Sequence, residues 1–341
     1  MMAPPAISST PTSPSRAESE GSFRPEVSSV ASLPRDDKTA TWPNVGDALR
    51  AGAERLAAAG VAEPRLDARL LAAEALGLTP QEIFSRPGRG LTPAEAGRLD
   101  ALLARRAARE PVSRILGRRG FWTLELALGP DTLDPRPDSE TVIEAALAEL
   151  PDRCAPLNLL DFGTGSGCLL LALLSELPNA RGLGVDKSAG ALDMARANAA
   201  VAGLAERANF IRGDWGRGID GSFDVIVSNP PYISNQAIAG LAPEVALYDP
   251  HLALAGGDDG LECYRALAPD IARLLCPGGI AVVEVGQAQA PAVADVLGAA
   301  GLYIGGVRSD LAGMDRCVVA ARGRRSMDEK MCWNVPAYPL R

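Results

Sequence analysis

From residue 141 to residue 321 the chain alternates between short apolar runs of strand length and stretches in which apolar residues recur at helical spacing. The periodicity predicts helices over 141–150, 168–177, 191–202, 262–275 and 290–300. It predicts strands over 157–162, 181–185 and 223–228, and over 280–285 after a turn at Pro277-Gly278-Gly279. The runs 302–307 and 317–321 read as a hairpin pair that closes the sheet. Continuous apolar strands separated by helices must be covered on both faces, so the expected class is α/β: a Rossmann-like, mainly parallel sheet with helices on either side.

The first strand, Leu159-Leu160-Asp161-Phe162, runs directly into Gly163, Thr164, Gly165, Ser166 and Gly167. In such sheets ligands sit beyond the carboxyl ends of the strands, at the switch point of the topology. Glycines there let the backbone approach a ligand where a side chain would collide. The spacing is G-x-G-x-G, which differs from the G-x-G-x-x-G of dinucleotide binders. The second strand ends in Gly184-Val185-Asp186, whose carboxylate can accept both ribose hydroxyls of an adenosine. The third ends in Gly213-Asp214-Trp215, where the carboxylate of Asp214 and the indole of Trp215 frame an adenine, the ring by stacking. Each element alone has an ordinary structural explanation: a strand-to-helix turn, a helix cap, a packed indole. Their succession at three strand ends points to S-adenosyl-L-methionine and a class I methyltransferase sheet.

The fourth strand ends in Asn229-Pro230-Pro231-Tyr232. An amide or aniline-like nitrogen has a delocalised lone pair and needs orientation more than it needs a strong base. The Asn229 side-chain oxygen and the Pro230 carbonyl can accept both N–H bonds of a substrate NH2, aiming the nitrogen and stabilising the positive charge that develops on it. The prolines stiffen the loop, and Tyr232 offers a face to a planar group. The catalytic set read from this motif is Asn229, Pro230 and Tyr232. Pro231 joins them at the substrate, and Asn229 also borders the cofactor. The motif suits adenine in DNA, bases in RNA and glutamine in protein alike.

Ahead of this region lies a different pattern. Residues 1–43 are rich in Ser, Pro, Ala and Thr without apolar periodicity and read as a disordered tail. A bacterial cytoplasmic tail is the favoured reading. Arg16, after an acid-free start, leaves an organelle transit peptide as the alternative, which Glu18, Glu20 and Glu26 count against. Residues 44–110 show helical spacing in Leu49, Ala53 and Leu56, in Leu66, Leu70 and Leu76, and in Leu99, Leu102 and Leu103. Turns at Gly60, residues 77–80 and 87–90 separate them. Thr92-Pro93-Ala94-Glu95 carries the signature of a capped helix start. This is read as a small helical-bundle domain. Residues 111–140 are read as a linker with a hairpin, in which residues 121–126 alternate as a short strand before Gly129-Pro130. The methyltransferase domain is then 141–322, and 323–341 a basic tail.

Composition narrows the function classes. A net charge of −8 does not favour broad attraction to nucleic acid. The dense basic cluster at Arg105, Arg106, Arg109, Arg114, Arg118 and Arg119 is either a solvated helix face or a recognition surface. The six cysteines form no CxxC pair, and a single histidine, His251, argues against a structural zinc site and against a Ser-His-Asp hydrolase. No metal is expected. No apolar run approaches the roughly 18 residues of a membrane span.

The chain resembles the release factor glutamine methyltransferases (the HemK/PrmC family) over residues 44–322. Beyond the motifs above, the likeness rests on Glu110-Pro111-Val112-Ser113-Arg114-Ile115-Leu116-Gly117, on Phe121-Trp122, and on Pro135-Arg136-Pro137-Asp138-Ser139-Glu140. It continues in Tyr248-Asp249-Pro250, residues 254–261 and Pro277-Gly278-Gly279. This chain has Phe162 where the family often has Leu. The resemblance implies that S-adenosyl-L-methionine is the methyl donor and that the acceptor is the glutamine of the Gly-Gly-Gln motif in class I peptide chain release factors. It implies that the helical domain helps grip the release factor and that Arg136 shapes the entrance to the site. It further implies a cytoplasmic monomer with no direct nucleic-acid partner. A ribosomal-protein glutamine methyltransferase and an adenine-amino methyltransferase are the alternatives.

Overall fold

The computed structural model describes residues 42–323, so the expected tails fall outside the described residues, apart from residues 42, 43 and 323 themselves, as does Cys332. The helical region comprises α1 (Val45–Ala58), α2 (Pro64–Leu76), α3 (Pro80–Ser85), α4 (Pro93–Ala107) and α5 (Val112–Leu116). Asn44 caps α1 through its side chain, and Thr92 with Glu95 forms the reciprocal capping box expected at the start of α4. Gly77 closes α2 in a left-handed conformation, but Thr79 and Pro80 then open α3, where only a turn was expected. The bundle has a core of its own, built around Leu56, Leu71, Ile83, Leu99 and Leu103.

The hairpin follows as β1 (Arg118–Phe121) and β2 (Leu124–Ala127). This corrects the single strand expected over 121–126. Trp122 adopts a φ of 55°, and the chain reverses there because its backbone N–H donates to Glu140 and its indole to Glu176, both at 2.8 Å. Phe121 and Leu126 point into the main core, so the alternation was a signature of burial on both arms of a turn.

The remaining elements are α6 (Glu140–Ala148), β3 (Asn158–Phe162), α7 (Cys168–Glu176), β4 (Arg181–Asp186), α8 (Ala189–Val201), β5 (Ala208–Arg212), β6 (Phe223–Ser228), α9 (Asn235–Ile238), α10 (Pro243–Ala246), α11 (Glu262–Leu274), β7 (Leu275–Glu284), α12 (Ala290–Ala299), β8 (Tyr303–Ser309) and β9 (Asp315–Ala321). The sheet has seven strands in the order β5-β4-β3-β6-β7-β9-β8. Its first five are parallel, and the last two close it as an antiparallel hairpin. The Pro277-Gly278-Gly279 turn lies inside β7, where the pairing with β6 shifts register, rather than ahead of the strand. Successive residues of β3 explain the layering: Leu159 faces a core with α6, α7 and α8, while Leu160 and Phe162 face a core with α11 and α12. The class is therefore the Rossmann-like α/β sheet expected.

The basic cluster is neither a solvated face nor a bare one. Each of its six arginines has an acidic partner. Arg106 pairs with Asp67 and, with Arg109, reaches Glu244 of α10 at 2.7–3.0 Å. Tyr248 donates to the carbonyl of Ala108 at 3.1 Å. These side chains are struts between the bundle and the segment that follows the Asn229–Tyr232 loop.

Candidate active site

A cavity of about 300 Å³ opens at the carboxyl ends of β3, β4 and β6. Gly163, Gly165 and Gly167 have φ values of 69°, 56° and 84°, a region open to glycine without a Cβ penalty. The turn is held from below, since the amides of Gly163 and Thr164 both donate to the carbonyl of Val185, at 2.8 and 3.0 Å. Gly163, Thr164, Gly165 and Ser166 line the cavity. Gly167 does not. It caps α7, where a Cβ would meet Leu171 at 3.1 Å.

Asp186 lines the cavity with its carboxylate pinned on both oxygens. Gly165 N–H donates to Oδ2 and Ser188 N–H to Oδ1, each at 2.9 Å. The remaining lone pairs are available to hydroxyls of a ligand. Trp215 also lines the cavity, in a left-handed conformation with φ 52°. Its ring meets Phe162 edge-on at 6.4 Å, and Lys187 Nζ lies 5.9 Å from its centroid. Asp214 departs from expectation. Its half-exposed carboxylate pairs with Lys187 at 2.9 Å and is not part of the cavity wall. A carboxylate with a lysine in reach turns toward it rather than toward a cavity already lined by Asp131, Asp161 and Asp186.

Sequence reasoning passed over Asp131 and Asp161, of which Asp161 lies deeper in the sheet. It is 1% exposed, accepts a hydrogen bond from Thr164 Oγ1 at 2.7 Å, and lines the cavity. Burial pushes its pKa up to about 7, and the nearby charge of Asp186 adds to this. The available signal was an acid inside an otherwise apolar strand. Cys168 and Cys263 line the cavity too. Burial lifts the Cys168 thiol to about 12, so it is no thiolate nucleophile.

Asn229 and Pro231 reach the cavity, whereas Pro230 and Tyr232 do not form its wall. Asn229 Nδ2 donates to Ser139 Oγ at 3.2 Å, which leaves Oδ1 as the end of the amide turned away from Ser139. Tyr232 packs its ring against the core on the α11 side, and its hydroxyl lies 3.4 Å from Glu284 Oε1. Tyr232 is thus half-buried, with part of its ring given to the core behind the loop. Residues 254–257 brace the loop from outside. Ile233 N–H donates to Leu254 O and Gly256 N–H to Ile233 O. A Cβ at Gly256 would lie 2.8 Å from Pro231 O, so only glycine fits.

Arg136 also stands off the wall. It pairs with Asp249 at 2.5 Å, while its neighbour Pro135 and Pro250 next to Asp249 do line the cavity. Ser139 and Leu252 are among the further wall residues that sequence reasoning missed.

A glycine cradle, a carboxylate with free lone pairs beside an indole, and two acids that disfavour each other's charge suit a ligand bearing vicinal hydroxyls, a flat ring and positive charge. The oriented amide of Asn229 next to it suits a second group with N–H donors. Among the described residues, no cluster of side chains could hold a metal ion, and no helix is long and apolar enough to cross a membrane.

Family models match on both sides of residue 120: the PrmC N-terminal domain over residues 47–117 and the methyltransferase small domain over residues 142–246. A release factor glutamine methyltransferase of Rhodospirillum rubrum is 54% identical over 278 residues, covering 82% of this chain and 85% of that protein. One of Caulobacter vibrioides is 45% identical over 276 residues, covering 81% and 95%. Among solved structures, the hMettl16 catalytic domain in complex with the MAT2A 3′UTR hairpin 6 has a TM-score of 0.51 at 15% identity, over 68% of this chain and 84% of that one, a likeness of fold. With relatives this similar over most of its length, and with this loop and this amide at the ends of its strands, the chain is a methyltransferase and belongs to the release factor glutamine methyltransferase family.

Proposed function

We propose that this enzyme methylates the side-chain amide nitrogen of the glutamine in the Gly-Gly-Gln motif of class I peptide chain release factors, with S-adenosyl-L-methionine as donor. The observation that carries the reading is the Asn229 amide, held by Ser139 at the rim of the glycine-cradled cavity. When bound, the donor supplies an electrophilic methyl group on a sulfonium. The loop of Gly163, Thr164, Gly165 and Ser166 gives it backbone clearance, Asp186 takes its ribose hydroxyls, and Trp215 flanks its adenine. Asp161 and Asp186 place negative charge beside its cationic end. Asn229 Oδ1 and the Pro230 carbonyl accept the two N–H bonds of the glutamine amide and turn its nitrogen toward the methyl group. As the new C–N bond forms and the S–CH3 bond breaks to leave a neutral thioether, positive charge passes to that nitrogen and these two acceptors stabilise it. The nitrogen then sheds a proton to water, so no strong base is required.

A protein substrate is supported by the helical bundle, whose Arg105, Arg106 and Arg109 are engaged with acids of the same chain. The bundle, residues 44–110, is assigned to docking, since a glutamine side chain alone offers few contacts and the rest of the partner must supply orientation. Purified enzyme with labelled donor is to be offered a release factor, a ribosomal protein and DNA side by side. Mass spectrometry is expected to find one added methyl on the Gly-Gly-Gln glutamine. Label in DNA or the ribosomal protein alone would overturn the substrate assignment.

Asp186→Ala is expected to weaken donor binding by roughly 1–3 kcal/mol, the typical effect of leaving polar partners unmatched in a buried site. It also frees the amides of Gly165 and Ser188. Calorimetric titration reads this directly, and unchanged affinity would remove Asp186 from the ribose site.

A further inference from the structure

We propose that Glu244 is a positioning residue for methyl transfer: by tying residues 234–253 to Arg106 and Arg109, it makes the helical bundle hold the outer wall of the cavity in place. The inference rests on the reading of the cavity beside Asn229 as the methyl-transfer site, and it adds a second task to the docking role given to the bundle.

Residues 234–253 leave the chain just after the Asn229–Tyr232 loop and return beside it. Their base is closed where Ile233 N–H donates to Leu254 O at 3.0 Å and Gly256 N–H donates to Ile233 O at 2.8 Å. Close to that base, Asn235 N–H donates to Gly257 O at 2.9 Å. Beyond it, α9 and α10 bury no residue. Across 234–253, all of them described, Asp249 is the one buried residue. None of these residues joins the three apolar cores. A segment with so little apolar burial opens at small cost unless something else fastens it. Yet Pro250, Leu252 and Ala253 belong to this strap and line the cavity. A wall of the site is therefore built on a segment that cannot fix its own position.

The fastening is polar and comes largely from the bundle. Glu244 takes Arg109 on both carboxylate oxygens, Nε donating to Oε1 and Nη2 to Oε2, each at 2.7 Å. Such a fork fixes direction as well as distance. Arg109 reaches it from a left-handed backbone conformation, φ 71°, which is uncommon for a residue with a Cβ. Arg106 Nη1 donates to Oε1 at 3.0 Å, and Arg106 is itself held by Asp67 of α2 through Nε at 2.7 Å. Farther along the strap, Tyr248 donates to Ala108 O at 3.1 Å, and Asp249 pairs with Arg114 of α5 at 2.9 Å and with Arg136 of the linker. Asp249 N–H donates to Val245 O at 3.1 Å, so residues 244–249 form one connected turn. Pro250, Leu252 and Ala253 follow directly from it. Glu244 thus passes the placement of the end of α4 to the wall against which the acceptor is aimed.

The test compares the full chain with Glu244→Ala, Arg109→Ala and the double variant, at saturating S-adenosylmethionine. The acceptor is a short fragment around the position that the parent methylates, too small to reach the bundle. An error in substrate assignment then shows in the parent, and an error in positioning shows only in the variants. If the bundle did no more than dock a partner, turnover of such a fragment would be indifferent to Glu244. Glu244→Ala is instead expected to lower kcat on the fragment by roughly ten- to a hundredfold, the scale of loss when a reacting group is misplaced by about an ångström. Donor affinity by calorimetric titration is expected to stay close to the parent's, because the glycine cradle and Asp186 lie outside the strap. The thermal midpoint is also expected to stay close, because the strap adds nothing to the cores and Arg106 keeps Asp67. Arg109→Ala is expected to lose part of the same activity, since Arg106 still reaches Glu244. The double variant is expected to be no slower than Glu244→Ala, because both changes remove one tie. Glu244→Gln keeps the shape and loses the charge, and it carries the same expectation should Glu244→Ala fail to fold. Parent-like kcat on the fragment in the Glu244 variant, or losses that multiply in the double variant, would overturn the proposal.

Discussion

Asn229→Ala is expected to lose roughly 10²–10³ in turnover, the usual consequence of removing one preorganised group that stabilises developing charge. The loss should fall on kcat far more than on donor affinity. The donor keeps its glycine cradle, Asp186 and Trp215, while the glutamine amide loses the acceptor that orients it. The side chain contributes no hydrogen bond to the loop's own backbone. Among the described residues its partner is Ser139 at 3.2 Å, and Ile233 and Gly256 hold the loop independently. Collapse of the loop is therefore not an alternative source of the defect. Asn229→Asp is the finer variant, since it keeps an acceptor oxygen, adds negative charge near a sulfonium and removes the donor to Ser139. It should bind donor at least as well as the parent and still turn over slowly. Turnover of Asn229→Ala close to the parent's at saturating substrates would sink the amide-orienting mechanism.

Asp249→Ala is expected to cost roughly 3–5 kcal/mol of stability, the range found when one partner of a buried ion pair is removed. Its side chain is 0% exposed and serves two arginines, Arg114 at 2.9 Å and Arg136 at 2.5 Å. It also accepts from the backbone N–H of Asp134 at 3.3 Å. Arg114 is 9% exposed and keeps the carbonyls of Gly129 and Thr132 as partners, but its charge is left uncompensated. For a folded chain of this size such a loss corresponds to a fall of roughly 5–10 degrees in thermal midpoint. A melting curve coincident with the parent's would show that the carboxylate is no structural hub. The three stretches that meet at Asp249 are those the sequence offered without explanation: the end of the bundle at Arg114, the Pro135–Asp138 run at Arg136, and Tyr248-Asp249-Pro250. Pro135 and Pro250, which line the cavity, are neighbours of this cluster in sequence.

Much of the fold was legible because its signals are local. Apolar periodicity distinguishes a strand buried on both faces from a helix buried on one, and the glycines of residues 163–167 and the capping box at Thr92 act within a single turn. The hairpin was misplaced because Phe121 and Leu126 both point inward, which mimics one alternating strand. The Pro-Gly-Gly run was read as a turn because propensity does not reveal a register shift, which depends on β6 alongside.

The candidate site divides in the same way. The sequence by itself determined which residues end the strands, and hence that Gly163, Asp186, Trp215 and Asn229 share one rim, since parallel strands bring their carboxyl ends together. It could not determine where long or charged side chains turn, because that depends on partners distant in sequence. Lys187 draws Asp214 away from the cavity, Asp249 holds Arg136 off its wall, and the core claims the ring of Tyr232. Ser139 became visible beside Asn229 only once the start of α6 was laid against the end of β6, and Glu284 beside Tyr232 only once β7 was laid next to β6. Periodicity measures a residue's relation to its own helix or strand, whereas a buried polar group is defined by what another part of the chain places against it.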